Sequence, residues 1–244
     1  MTTRYDRIGV GYAELRRPDP RIAALLAEAI GPGTVLNVGA GAGSYEPAST
    51  VAAVEPSPVM LGQRPHGSAP AVRAVAERLP FADQQFDVAL AVLTTHHWSD
   101  PEAGLAELVR VARRQVVLTW DQDVTPQAFW FLADYLPAAA EREKDVAAYR
   151  TVAAAWPEAV THRVPVPHDC TDGFFAAYWA RPEALLDPAV RSAISAFALL
   201  EQELVDEAIG RLRRDLADGT WDRRHGHLRD RAELDCGYRL LVRS

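Results

Sequence analysis

Val35-Leu36-Asn37-Val38-Gly39-Ala40-Gly41-Ala42-Gly43-Ser44-Tyr45 joins a strand-like run to three glycines at alternate positions. A short apolar run that stops at glycine reads as a strand buried on both faces. Glycine lets the chain turn tightly and lets a ligand approach the backbone with no Cβ between them. A helix is expected past this loop, its start offering unpaired N–H groups. In open α/β sheets, ligands collect at the carboxyl ends of strands, where the strand order reverses. Gly39, Gly41 and Gly43 are therefore the first candidate site.

The pattern extends in both directions. Upstream, Ile22, Leu25, Leu26 and Ala29 share one face of a helix over 21–30, which Gly31-Pro32-Gly33 stops. Downstream, strands are expected at Val51–Val54, Ala71–Val75, Phe86–Val92 and Val116–Trp120. A helix over 101–112 carries Leu105, Leu108, Val109 and Ala112 on one stripe. Short apolar strands alternating with helices predict an α/β fold with a parallel sheet covered on both faces. After residue 121 the style changes. Residues 126–156 read as helical, Val160–Val166 as a strand, 173–218 as two or three helices, and Gly237–Val242 as a last strand. The expected organisation is an arm or lid at 1–20 and a cofactor-binding core at 21–125. A helical cap and substrate region at 126–221 follows, with one core strand near 160–166, and then the last core strand within 222–244. Thirteen of the twenty aromatic residues lie from Trp120 to Trp221. They are either a wall over a substrate pocket or additional core. Trp130, Phe174, Tyr178 and Trp179 are the candidates for the wall.

Composition narrows the function. A chain of 244 residues fits one α/β domain with insertions, or a domain with a small cap. The net charge is −7, Lys144 is the only lysine, and no basic run occurs, all of which oppose a nucleic-acid partner. No apolar stretch nears the roughly 18 residues of a membrane span. Met1–Asp6 lacks the apolar core of a signal peptide, so a cytoplasmic location is expected. The wealth of Ala, Arg, Asp and Val resembles the usage of a high-GC bacterial genome. Cys170 and Cys236 match no metal spacing and read as reduced thiols. No metal is expected.

A glycine loop alone also serves dinucleotide enzymes. Their fingerprint wants a third glycine where Ser44 stands. The acidic residue closing the second strand is Glu55, 16 residues beyond Gly39, and a carboxylate there can accept both hydroxyls of a ribose. A nicotinamide or flavin remains the alternative for this loop. Further blocks follow in order: Val-Glu-Pro-Ser-Pro-Val-Met at 54–60, Ala-Glu-Arg-Leu-Pro-Phe-Ala-Asp-Gln-Gln-Phe-Asp-Val at 76–88, and Thr-Thr-His-His-Trp-Ser-Asp-Pro at 94–101. With Arg110–Arg113 and Gln115–Trp120 they span roughly 33–121. In this order and spacing the chain resembles the methyltransferase type 11 family of class I S-adenosylmethionine-dependent methyltransferases.

The resemblance implies a Rossmann-like sheet with an antiparallel last strand and a helical cap, and S-adenosylmethionine as cofactor. It implies that Gly39, Gly41 and Gly43 cradle the methionine part, with Leu93 and Thr94 nearby, and that Glu55 binds the ribose. Pro56 and Met60 would flank the adenine, and the Ala76–Glu77 backbone would meet its edge. The arm would close over the cofactor through Tyr12 and Arg16, with Arg16 pairing the cofactor carboxylate. Two positions depart from the family. Asn37 stands where Asp or Glu is usual and cannot neutralise the cofactor's amino group. Val75 stands where Asp often bonds the adenine amine.

Methyl transfer is an in-line displacement at a sulfonium, for which placement supplies much of the rate. A base is needed only when the acceptor must lose a proton. His96 is the candidate base, and His97 and Trp98 are candidate substrate contacts. If the loop is locally extended, His96 and Trp98 share a side. His168-Asp169-Cys170 is a poor nucleophile set, because sequence neighbours rarely point at one spot. His225-Gly226-His227, with Arg223 and Arg229, reads as a surface turn, or as a grip on an acidic acceptor. The function expected is methyl transfer to O, N or C of a small molecule, such as a specialised metabolite, by a monomer or homodimer. The alternative is a methyltransferase-like protein that binds the cofactor without transfer, as a cyclase, an isomerase or a binding protein.

Overall fold

Val35–Val38 (β1) is buried at all four positions and lies inside a seven-stranded sheet. The computed structural model describes residues 16–244 apart from 144, 145, 147 and 195. Thr50–Val54 (β2), Ala71–Val72 (β3), Phe86–Val92 (β4) and Ala112–Trp120 (β5) run parallel in the order β3-β2-β1-β4-β5. Val160–Arg163 (β6) closes the far edge. A separate two-stranded ribbon joins Val166–Pro167 (β7) to Glu233–Leu234 (β8). Tyr238–Arg243 (β9) is inserted antiparallel between β5 and β6. The order reverses between β1 and β4, which opens a crevice at their carboxyl ends.

Side-chain alternation along the strands builds two cores. Val35, Val88, Leu90, Val116, Leu118 and Leu240 face helix α1 (Pro20–Ile30), through its Ile22, Leu26 and Ile30, and the aromatic second half. Leu36, Val54, Ala89, Ala91, Val117 and Leu241 face the other way. There they meet Leu105, Leu108 and Val111 of helix α3 (Pro101–Val111), while α2 (Pro58–Leu61) lies beyond β2. Val152 of α4 (Tyr149–Ala155) and Trp156 complete that layer.

The segment after β1 differs from expectation. Residues 41–49 form turns, with no helix before β2. Eleven residues separate Val38 from Thr50, and the glycine loop and Pro47 leave too few for a helix and two connections. The region 126–156 is also less regular than expected. It holds helices at Thr125–Ala128, Pro137–Glu143 and α4, with a π turn at Phe131–Tyr135. Pro137 cannot continue the preceding turn and begins a new helix. Over 173–218 the chain makes short 3₁₀ turns and a helix at Pro188–Ser192, before the amphipathic α5 (Gln202–Ala217).

Trp130, Phe174, Tyr178 and Trp179, expected as a pocket wall, are packed into the first core. The indole of Trp130 donates to the Trp179 carbonyl at 2.7 Å, and that of Trp179 to the Val166 carbonyl at 2.9 Å. Phe174 lies 4.7 Å from the ring of Tyr238, and Tyr178 sits under the Arg181 guanidinium. Both indole N–H groups are satisfied by backbone, so these tryptophans give apolar area to the sheet rather than a polar handle to a ligand.

The end of the arm is stitched to the loop at 169–173. Asp19, fully buried, caps α1 by accepting from the Arg21 amide at 3.0 Å, and its other oxygen accepts from the Thr171 amide at 3.1 Å. The Arg21 side chain and these amides hold the Asp19 carboxyl far below the ordinary carboxylate range, against the opposing effect of burial. Asp19→Asn is expected to cost about 1–2 kcal/mol at neutral pH. Because the folded pKa is depressed, that contribution is full above the unfolded value of about 4 and fades as pH falls below it. Melting curves of both proteins from pH 7 to 3 should therefore converge. A constant gap would remove Asp19 from the acid response.

Candidate active site

A cleft of about 860 Å³ opens at the carboxyl ends of β1, β2 and β4, within the range of small-molecule sites. Its floor is the glycine loop. Gly39, Gly41 and Gly43 have φ of 69°, 53° and 94°, a region that favours glycine. A Cβ on Gly39 would overlap the Thr94 side chain just past β4. The loops after β1 and β4 thus touch through a glycine that cannot be enlarged.

Glu55 directly follows β2 and is buried. Its two oxygens accept from the Gly41 amide at 2.9 Å and the Ser57 amide at 2.8 Å. Ser57 caps α2 through the Met60 amide at 3.3 Å, which sets Met60 beside Gly41. Pro56, Ala76 and Glu77 also line the cleft. The Glu77 side chain accepts from the Ser99 amide, the Ser99 hydroxyl and the Asp100 amide at 2.7, 2.8 and 3.1 Å. Burial pushes its carboxyl up, but these donors and its own backbone outweigh burial, and the net shift is downward. Glu77 thus secures the turn into α3.

Leu93 and Thr94 line the cleft past β4, and Leu93 is held at φ 51°, an uncommon conformation for a residue with a Cβ. The following loop is a 3₁₀ turn, Thr95–His97, and not the extended segment assumed for it. The alternation that placed His96 and Trp98 on one side therefore does not apply, and His96, His97 and Trp98 all line the cleft. The His96 ring lies 3.6 Å from that of His97 and 4.3 Å from that of Trp120. Trp98 presses on Gly104, where a Cβ would meet its ring.

Arg16 also lines the cleft, and its guanidinium is paired with buried Asp172 at 2.7 and 3.3 Å. Tyr12 lies outside the described residues. Asn37 lines the cleft and donates its amide to Glu46 at 3.1 Å, and Glu46 is held by Arg64 at 2.7 and 2.9 Å. Glu46, Arg64 and Asp172 carried no sequence signal, since their partners are set by tertiary contact alone. Trp130, Phe174, Tyr178 and Trp179 are not among the described residues lining the cleft. Cys170 is buried, which pushes its thiol up to about 12, and Asp169 turns to Arg21. His225 pairs with Asp134 in the second half at 2.7 Å. Among the described residues, no group of three His, Cys, Asp or Glu is placed to hold a metal, and no helix is long and apolar enough to cross a membrane.

Comparison with known proteins gives the site its context. Residues 29–119 match the family model of a methyltransferase domain. A provisionally named methyltransferase from an antibiotic biosynthesis pathway of Anabaena variabilis is 32% identical, with a TM-score of 0.84 over 94% of this chain and 99% of that one. A methyltransferase of Thermotoga maritima is 24% identical over 56% of this chain and 68% of that one, with a TM-score of 0.46. The [4+2]-cyclase SpnF is 15% identical over 98% and 93%, with a TM-score of 0.49. Likeness at the level of the last two does not bear on chemistry. A search of curated proteins gives no match. With a matched domain over the cleft and a relative alike along nearly its whole length, the chain belongs to the class I S-adenosylmethionine-dependent methyltransferases.

Proposed function

We propose that the protein transfers a methyl group from S-adenosylmethionine to O, N or C of a small molecule. The observation that carries this reading is Glu55, a buried carboxylate closing β2 and fixed beside the glycine loop by the Gly41 amide. That arrangement fits a ribose held next to a chain that must pass close to the backbone. Gly39, Gly41 and Gly43 would receive the methionine part, Leu93 and Thr94 would border it, and Arg16 would meet its carboxylate. Pro56 and Met60 would flank the adenine, with the Ala76–Glu77 backbone at its edge. The bound cofactor supplies an electrophilic methyl group on a sulfonium. The protein supplies placement, which can contribute much of the rate. His96 would take a proton from the acceptor where one must leave. His97 and Trp98 would contact the acceptor.

The net charge of −7 supports a small acceptor over a polyanion. The pathway named for the Anabaena relative supports a specialised metabolite. Asn37, in the place of the family's acid, favours a second reading in which the cofactor is bound without transfer.

Incubation with methyl-labelled cofactor and a cell extract should move label into a small product. S-adenosylhomocysteine binding without labelled product from any extract would favour the second reading. Once the acceptor is known, His96→Ala should cut turnover about 100-fold or more, with cofactor affinity nearly unchanged, and His97→Ala should be mild. Loss of cofactor binding in His96→Ala would reassign that residue to the cofactor shell.

A further inference from the structure

Behind the glycine loop lies a charged pair that the cofactor reading leaves without a role. The side chains of Glu46 and Arg64 are only 9% and 5% exposed. Arg64 Nη2 donates to both Glu46 oxygens and to the Ala69 carbonyl, at 2.7, 2.9 and 3.2 Å. Arg64 Nη1 is buried with no hydrogen-bond partner among the described residues, and it lies 3.5 Å from where a Cβ on Gly43 would sit. A buried ion pair is weak evidence for stability, because desolvation offsets much of its attraction. This pair has another consequence. Glu46 accepts from Asn37 Nδ2 at 3.1 Å. A carboxylate paired with arginine only accepts, so the asparagine must turn its donor toward Glu46 and its carbonyl oxygen away. Asn37 lines the cleft, and its Oδ1 receives no side-chain or backbone hydrogen bond from a described residue. No helix start follows the loop to act on charge at this end of the cleft.

We propose that Glu46, locked by Arg64, is a positioning residue that fixes the Asn37 amide so that Oδ1 faces the cleft and accepts from the amino group of the cofactor's methionine part. The proposal rests on the cofactor reading above. The negative charge that the family places at the end of β1 is moved one layer back and neutralised there, and a fixed neutral acceptor faces the ligand.

Calorimetry with two ligands tests this: S-adenosylhomocysteine, and 5′-methylthioadenosine, which lacks the amino-acid part. Wild type should prefer the former. Glu46→Gln should weaken it about tenfold, since a glutamine can donate and lets the asparagine flip, while 5′-methylthioadenosine stays within about twofold. Asn37→Ala should show the same loss, and Glu46→Gln should add nothing in that background. Should Glu46→Gln fail to fold with Arg64 left unpaired, the joint replacement Glu46→Leu with Arg64→Met removes both charges and should give the same ligand-selective loss. Equal weakening of both ligands, additive losses in the double variant, or an unchanged preference would overturn the positioning role while leaving the cofactor reading intact. Wild type that binds neither ligand would overturn the cofactor reading and this proposal with it.

Discussion

Gly39→Ala is expected to lower the melting temperature by roughly 10 °C and to abolish measurable S-adenosylhomocysteine binding. Gly39 has φ 69°, and its added methyl would enter the space of the buried Thr94 side chain. The backbone conformation alone costs about 1–2 kcal/mol in a residue with a Cβ. Forcing a methyl into packed surroundings adds about 1–3 kcal/mol. In a chain of this size each kcal/mol shifts the transition by about 2–4 °C. Gly67 supplies the control, because its φ of 87° is similarly strained but nothing lies within 4 Å of its Cβ direction. Gly67→Ala should show the conformational cost alone, and Thr94→Ala in the Gly39→Ala background should recover part of the loss. Equal shifts for the two glycine variants by scanning calorimetry would show that contact with Thr94 is immaterial.

Glu55→Ala should reduce S-adenosylhomocysteine affinity about a hundredfold. Hydrogen bonds to a charged group contribute about 1.5–3 kcal/mol each, some of it recovered by water, and about 1.4 kcal/mol is tenfold in affinity. The same substitution leaves the Gly41 and Ser57 amides without their acceptor, so the loop that receives the ligand loses its anchor. Glu55→Gln should be intermediate, since its single carbonyl can serve only one of the two amides well. Affinity in Glu55→Ala within about threefold of wild type would remove the residue from the cofactor site.

The central strands were legible because their burial on both faces leaves an unbroken apolar signature. Phe86–Val92 has its expected bounds, and the strand-like run before the glycine loop is the strand Val35–Val38. β5 starts at Ala112, four residues earlier than expected. α3 ends at Val111 and the chain turns directly into the ladder, pairing Ala112 with Phe86, while Arg113 and Arg114 hide the extension in a polar stretch. Val160–Val166 divides because Val166 leaves the main sheet to pair with Leu234. Contiguous motifs brought Gly39, Gly41, Glu55, Met60 and Thr94 to one cleft. Arg16 and Asp172 could not be matched beforehand, being 156 positions apart with no motif to relate them. For the aromatic half, wall and core stayed open in the sequence, because composition alone cannot tell rings that face a ligand from rings that cover a sheet; Trp130, Phe174, Tyr178 and Trp179 lie in the core.

β9 lies between two strands that the ribosome makes before it. Until Tyr238–Arg243 has emerged, the nascent chain carries β5 with one side of its ladder open and β6 with no partner in the main sheet. Such unpaired edges are templates for pairing with other chains. Completion of the sheet is therefore a late, non-local event, and contacts of that kind slow folding. A chain that stops before Tyr238 would retain the whole glycine loop and Glu55, yet be directed toward aggregates by the gap where its last strand belongs.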